Sequence, residues 1–188
     1  MEVSFSYIAT FISLIYGLAL AHALTCIAEY IQNWSKIKHY WVWWVWAIFL
    51  LLLSVAFWWT IYGFWNKVEF WTINDFAFLT LQSSLFYLTF YVFFNHYKEL
   101  ETKDLEFEYY KYNKIFFILL PLQFILLFFG SDYLANEATF RHMFNRHIVI
   151  VVQPFVMLIL ALVSNRIVHA FFAILFLFLF FLQLAIKS

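Results

Sequence analysis

Charged residues are scarce in this sequence, and so are glycine, proline and cysteine. Only 12% of the 188 residues are charged, whereas a soluble domain carries about 25%, so the chain could not cover a water-facing surface. The single cysteine, Cys26, excludes an intramolecular disulfide and any multi-cysteine metal or iron–sulfur site. Three glycines and two prolines are fewer than the broken helices of secondary transporters usually contain.

Apolar residues, by contrast, make up 66% of the chain and fall into six long runs. The runs cover residues 5–31, 40–64, 76–94, 115–130, 148–163 and 169–186. A helix needs about 20 mostly apolar residues to cross the bilayer core, or roughly 17 to 25 once tilt is allowed. The sequence therefore predicts an all-α, polytopic membrane helical bundle with about six transmembrane helices in a single domain over residues 1–188.

The loops predict an orientation for this bundle. The loops after the first, third and fifth runs hold seven Lys and Arg residues, against four on the other side. Basic loops stay in the cytoplasm, so we expect both termini outside a cell inner (plasma) membrane. Residues 1–7 contain no Lys or Arg, and we expect the first run to be a retained helix rather than a cleaved signal peptide.

Tryptophans cluster at both ends of the second run. The two groups are Trp41, Trp43, Trp44 and Trp46 at its start, and Trp58, Trp59, Trp65 and Trp71 at and beyond its far end. Indole rings prefer the level of the lipid headgroups. We therefore interpret both groups as belts at the two membrane interfaces, with an aromatic stacking or cation–π site as the alternative.

Polar groups inside a span are costly, so each is a candidate functional residue. In the first run, His22, Cys26 and Glu29 share one helical face. The face fits three interpretations: a packed, hydrogen-bonded histidine, a proton or ligand site, or one side of a metal or haem site. Two soft ligands are too few for a specific metal site, and we predict none.

The same run carries Gly17, Ala21 and Ala28 on an adjoining face. Small residues allow helix backbones to approach closely in membranes. This face predicts a central position for the first helix, with His22 turned toward protein. Gln82, Gln123 and Gln153 in later runs are expected to bridge helices by hydrogen bonds, each worth about 0.6 kcal/mol in membranes.

The short turn before the last run holds Asn165, Arg166 and His169. Arg166 could bind a lipid phosphate or pair with Glu29 at the mouth of the bundle. The alternative is a basic membrane anchor beside an asparagine that caps the following helix.

The longest loop, residues 95–113, alternates opposite charges with apolar residues. It could extend a helix beyond the membrane, connect two helices as a solvated segment, or dock a partner protein. The docking candidates are Lys98, Glu101, Lys103, Glu106, Tyr109 and Tyr110.

Four segments together resemble a widespread group of uncharacterised small bacterial multi-pass membrane proteins. The segments are GLALAHALTCIAEYI, YWVWWVWAIFLLLLSVAFWWTIY, DLEFEYYKYNKIFF and SNRIVHAFFAI. The resemblance points to His22, Trp44, Trp58, Trp59, Tyr109, Tyr110, Asn165 and His169 as matching positions. The group implies no activity. Small membrane proteins of similar layout also accompany bacterial antiviral loci, an analogy of size and architecture.

No catalytic constellation stands out in the sequence. We expect a non-enzymatic membrane protein that acts as a sensor, accessory or effector subunit, through homo-oligomerisation or a protein partner. Equal numbers of acidic and basic residues, 11 each, give no basic surface for direct nucleic-acid binding. One alternative is a small transporter or proton pathway centred on His22. The other is a haem- or quinone-binding protein using His22 and His169; we predict no cofactor, with haem the least favoured possibility.

Overall fold

The computed structural model describes residues 5–65, 68, 70–95, 103–135 and 148–187. These residues form six α-helices: α1 (Phe5–Gln32), α2 (Trp41–Trp65), α3 (Ile73–Phe93), α4 (Leu105–Ala135), α5 (Ile148–Leu162) and α6 (Arg166–Lys187). A 3-10 turn (Trp34–Lys36) and strand β1 (Ile37–Lys38) follow α1, and strand β2 (Lys103–Asp104) precedes α4. The predicted all-α membrane bundle is confirmed.

Four of the helices are long and apolar enough to cross a membrane. They are α1, α2 over Trp41–Trp59, α3, and α4 over Leu105–Leu127. The apolar parts of α5 and α6, as far as they are described, are shorter and cover Val152–Leu162 and Arg166–Leu182. The charged segment before the fourth apolar run is partly helical, because α4 already begins at Leu105.

The helices pack as a row with two helices laid against it. Helix α1 packs on α3, α3 on α4, and α4 on α5, while α2 contacts α1, α4 and α6. The residue numbers of the ring contacts between α1 and α3 increase in both helices in the same direction, from Phe11–Phe76 to Tyr16–Phe86. The two helices therefore run parallel, as successive odd-numbered helices must in an up-and-down bundle.

Aromatic rings fill the space around α2. Trp46 is completely buried and contacts Phe116 and Phe117 of α4 and Phe176 of α6. Trp43 stacks on Phe93 of α3 at a centroid distance of 5.3 Å. Pairs at such distances add about 0.5–1.5 kcal/mol beyond the area they bury, so these rings determine how α2 sits in the bundle.

This packing corrects the interpretation of the tryptophan groups as interfacial belts. Trp43, Trp46 and Trp65 are each at most 2% exposed and lie inside the protein. Trp41 and Trp59, which are 51% and 75% exposed, fit the predicted belts. The sequence could not separate the two sets, because an indole ring suits a lipid interface and a protein interior equally well.

The small-residue face of α1 needs a second correction. Gly17, Ala21 and Ala28 lie on the exposed side of the helix, and space is open around the Cα of Gly17. The face that packs in the bundle consists of Ile8, Ile12, Tyr16, Ala19, Ala23, Cys26 and Tyr30. Helix α1 lies at the end of the row rather than at its centre. Its buried face offers Ile8, Ile12, Tyr16 and Tyr30 as large side chains to bury, which the face of Gly17, Ala21 and Ala28 does not.

Candidate functional site

The polar side chains predicted to be functional gather at one end of the bundle, where α1, α3 and α5 end and α2, α4 and α6 begin. Helix ends leave backbone carbonyl and N–H groups without intrahelical partners. Within the hydrocarbon core of a membrane, where no water is available, each such group needs a partner from the protein. The contacts at this end therefore show whether a candidate side chain hydrogen-bonds to backbone groups of a helix terminus or can interact with a substrate or ligand.

His22 binds the end of α3. Its Nε2 atom donates a hydrogen bond to the carbonyl oxygen of Phe94 at 2.7 Å, and a carbonyl can only accept, so Nε2 carries a proton. The imidazole also stacks on Tyr91 with 5.0 Å between the ring centroids. The sulfur of Cys26 lies 3.9 Å from the same nitrogen. This geometry matches the packed, hydrogen-bonded histidine among the three interpretations.

Two further side chains satisfy the next carbonyl, that of Asn95. Tyr30 donates its phenol proton to this oxygen, and the ammonium group of Lys103 donates to it at 2.7 Å. The same ammonium lies 4.7 Å from the centre of the Tyr30 ring, within cation–π distance. A cation is favourable at a helix C-terminus because the macrodipole is negative there.

Lys103 is therefore part of the interior of this end rather than a free surface cation. Burial lowers the pKa of its ammonium group, while the carboxylates of Glu108 and Glu29 act in the opposite direction. The pairing of β1 with β2 holds Lys103 in place, since Ile37 aligns with Lys103 and Lys38 with Asp104 in a parallel register.

His169 joins three helices at the same end. It is completely buried; its Nε2 donates to the carbonyl oxygen of Val163 at 2.7 Å, just after the end of α5. Its Nδ1 accepts the phenol proton of Tyr109 at 2.8 Å. The carbonyl partner places a proton on Nε2, and complete burial disfavours a second proton on Nδ1, so the ring is assigned the neutral tautomer.

The two phenols of α4 have different environments. Tyr109 is 4% exposed, and a partner protein could not reach it, whereas half-buried Tyr110 exchanges a hydrogen bond with the hydroxyl of Tyr40 at 3.2 Å. Of the other docking candidates, Lys98 and Glu101 lie outside the described residues. Tyr109 is buried against His169, and the Lys103 ammonium group donates to the carbonyl of Asn95. Both side chains are thus engaged within the protein, and docking of a partner on this segment stays a prediction.

Asn165 and Arg166 serve the start of α6. The side-chain oxygen of Asn165 accepts from the backbone N–H of Ile167 at 2.8 Å, as an N-cap does. Arg166 pairs with Glu106 at 2.5 Å, so its partner at the mouth of the bundle is Glu106 rather than Glu29. The guanidinium side chain remains 75% exposed.

Asp104 is a residue that the sequence reasoning missed. Its Oδ1 accepts from the backbone N–H groups of Glu106 and Phe107 at 2.9 and 3.1 Å, and its Oδ2 binds the Lys38 ammonium at 2.7 Å. Partial burial alone would raise the pKa of Asp104, but the hydrogen bonds from Lys38 and the backbone outweigh it and lower the pKa. An aspartate directly before a helical segment was the signal available.

Within the described part of the chain, no group of three or more His, Cys, Asp or Glu side chains is arranged to hold a metal ion. The candidates His22, Cys26 and Glu29 lie on α1, and His169 lies on α6. His22 and His169 each bond to a different helix terminus. At this end of the bundle, such contacts link α1 to the end of α3 and join α4, α5 and α6 to one another. No protein-family model matches this chain, and comparison with curated proteins and with solved structures found no match.

Proposed function

We propose that this chain is a non-enzymatic integral membrane protein of the bacterial inner membrane. In this proposal it acts as a sensor, accessory or effector subunit by associating with further copies of itself or with a protein partner. The observation that carries the proposal is the exposed small-residue face of α1, formed by Gly17, Ala21 and Ala28.

This face suits contact with another helix. A Cβ atom built on Gly17 would meet nothing within 4 Å, so a neighbouring backbone can come close there. Thr25 lies on the same exposed side, and its hydroxyl bonds back to the carbonyl of Ala21 at 2.8 Å. Helix association in membranes depends on close van der Waals packing of such surfaces. Self-association is the simplest form, because one face then serves both partners.

The engagement of the two candidate histidines supports a non-catalytic role. General acid–base and ligand chemistry needs a nitrogen that can reach a substrate. His22 donates through Nε2 to the carbonyl of Phe94, and both nitrogens of His169 are bonded to protein groups. These bonds favour a structural role over the transport and haem alternatives, which remain predictions for experiment.

The proposed orientation places the capped end in the cytoplasm and both termini outside. It rests on the excess of basic residues in the odd-numbered loops, among them Lys36, Lys38 and Arg166. Alkaline phosphatase fused after Ser188 should be active in this orientation, and a fusion within residues 34–36 inactive. The reverse pattern would overturn the orientation without affecting the proposed association. A place in bacterial defence rests only on analogy of size and layout.

Native mass spectrometry of the protein released from detergent micelles tests the proposal. We expect a defined oligomer, or a defined complex with one partner, and a shift to monomer when Gly17→Leu and Ala21→Leu are combined. The matched control is Val55→Leu, which enlarges a side chain that is 67% exposed on α2 and should leave the assembly intact. A monomer that carries a haem or quinone mass would contradict the proposal.

A further inference from the structure

A layer of polar side chains lies in the middle of the bundle, far from the capped end. It consists of Tyr16 on α1, Gln82 on α3 and Gln123 on α4, each at most 5% exposed. Four of their polar atoms have no hydrogen-bond partner among the described residues: the Tyr16 hydroxyl, both amide atoms of Gln82, and Oε1 of Gln123. Unlike the caps, these groups serve no helix terminus.

Contacts place the three residues at one depth. The Gln123 amide nitrogen donates to the backbone oxygen of Gln82 at 3.2 Å, which joins α3 and α4. The Tyr16 ring stacks on Phe86 with 4.4 Å between centroids, and Phe86 follows Gln82 by one helical turn on the same face. Gln82 is the tenth of the 21 residues of α3, so the layer lies near the midpoint of that span.

Unpartnered polar atoms at this depth are costly because the hydrocarbon core supplies no water to replace a missing partner. The layer holds a hydroxyl and the NH2 group of Gln82 as donors, and two amide oxygens as acceptors. All four groups are uncharged, so the layer offers no charge to compensate a bound ion in this apolar surrounding and suits a neutral guest better. A buried water molecule typically makes about three hydrogen bonds to groups of this kind.

Aromatic rings limit the size of what can bind. Phe57 on α2 lies 6.0 Å from Phe86 and 5.3 Å from Phe124, measured between ring centroids. These three buried rings lie on the side of the layer that faces α2. They pack next to Gln82 and Gln123, which are themselves almost completely buried. Packing of this kind excludes a guest larger than a water molecule.

We propose that Tyr16, Gln82 and Gln123 bind a water molecule at the centre of the bundle. The water bridges α1, α3 and α4 and supplies the hydrogen bonds that these side chains do not obtain from protein. The three helices are thereby joined at mid-depth by a polar contact that is independent of the caps at the bundle end. The inference does not depend on the proposed function.

The test is solution NMR of the full chain in detergent micelles, with the side-chain amides of its five glutamines labelled with 15N. We expect a dipolar cross peak between a long-lived water and the NH2 group of Gln82. The Gln82→Leu and Gln123→Leu spectra identify the signals of these two residues. A Gln82 amide without a water cross peak would mean that the side chains pair directly with one another, and would overturn the proposal.

Thermal unfolding gives a second readout. If water bridges the layer, Tyr16→Phe removes one of its partners and lowers Tm. The control is Tyr7→Phe on the same helix, where the side chain is 71% exposed and Tm should stay unchanged. A Tm that rises in Tyr16→Phe would show that the hydroxyl has no partner in the native state, and would equally overturn the proposal.

Discussion

Tyr109 donates its phenol proton to Nδ1 of His169 across 2.8 Å, and both side chains are buried. This bond connects the N-terminal parts of α4 and α6, and the other nitrogen of the same imidazole donates to the carbonyl of Val163 after α5. One histidine therefore aligns three helices. Because the acceptor role of Nδ1 needs a neutral ring, the alignment depends on an uncharged His169.

Tyr109→Phe should destabilise the protein markedly. It leaves a buried imidazole nitrogen without a donor, which costs about 1–3 kcal/mol. Thermal or denaturant unfolding in micelles measures the loss. Tyr110→Phe is the matched control, because the Tyr110 hydroxyl is only half-buried and bonds to another phenol. Equal losses in the two variants would argue against a specific role for the Tyr109–His169 bond.

Two substitutions at Asp104 separate its two roles. Asp104→Ala removes the N-cap of α4 and should lower the free energy of unfolding by about 1 kcal/mol. Asp104→Asn can still accept the backbone N–H bonds and loses only the charge that pairs with Lys38, so it should be milder. If Asn proved as harmful as Ala in the same unfolding assay, the ion pair would matter more than the cap.

The same carboxylate predicts a pH dependence. The pKa of Asp104 is lower in the folded protein than in the unfolded chain, so the folded state binds protons less readily. Its contribution to stability is present above the ordinary aspartate pKa of about 3.9 and is lost as the pH falls through the lower folded value. Unfolding midpoints of the protein and of Asp104→Asn should converge at acid pH; midpoints that stay parallel would contradict the linkage.

His22 offers a test between a structural and a proton-carrying role. His22→Ala removes the donor to the Phe94 carbonyl, for which we expect a loss of about 0.5–1.5 kcal/mol. Glutamine can place an amide N–H where the imidazole Nε2–H lies, so His22→Gln should recover most of that stability. We also expect no flux of protons or small solutes into liposomes between pH ~5 and ~8, around the imidazole pKa, either for the protein or for His22→Gln. A flux that His22→Gln abolishes while the fold stays intact would favour the transport alternative.

Disulfide cross-linking in membranes locates the proposed self-contact. In a Cys26→Ser background, Ala21→Cys should form a covalent dimer on mild oxidation, because small-residue faces bring backbones close. Val55→Cys, at an exposed position of α2, should remain monomeric. Cross-links at both positions would indicate random collision, and cross-links only at Val55 would move the contact to α2.

The helices were predictable from sequence, and their packing was not. Long apolar runs form helices because a segment surrounded by lipid must form the hydrogen bonds of its backbone N–H and C=O groups within itself. Inside lipid, however, the contrast between apolar core and polar surface disappears. Trp41 and Trp46 look alike in sequence, yet one is 51% exposed and the other completely buried.

The partners of the candidate site residues were harder to predict for a related reason. His22 was visible as a polar group in an apolar run, but it binds the backbone carbonyl of Phe94. Tyr30, which binds the carbonyl of Asn95, was not singled out at all. Backbone acceptors carry no side-chain signature that a sequence could display. Asn165 was the exception, because an asparagine directly before a helix is a recognisable cap.

The parallel pairing of β1 with β2 has a consequence for biogenesis. Lys38 and Asp104 are 66 positions apart in the chain, and α2 and α3 lie between them. A nascent chain emerges from its N-terminus at about 5–20 residues per second, so the turn after α1 waits several seconds for its partner strand. Helices α1, α2 and α3 are therefore synthesised before β1 can pair with β2. The segment after α1 reaches its final hydrogen bonding only when the start of α4 has been made.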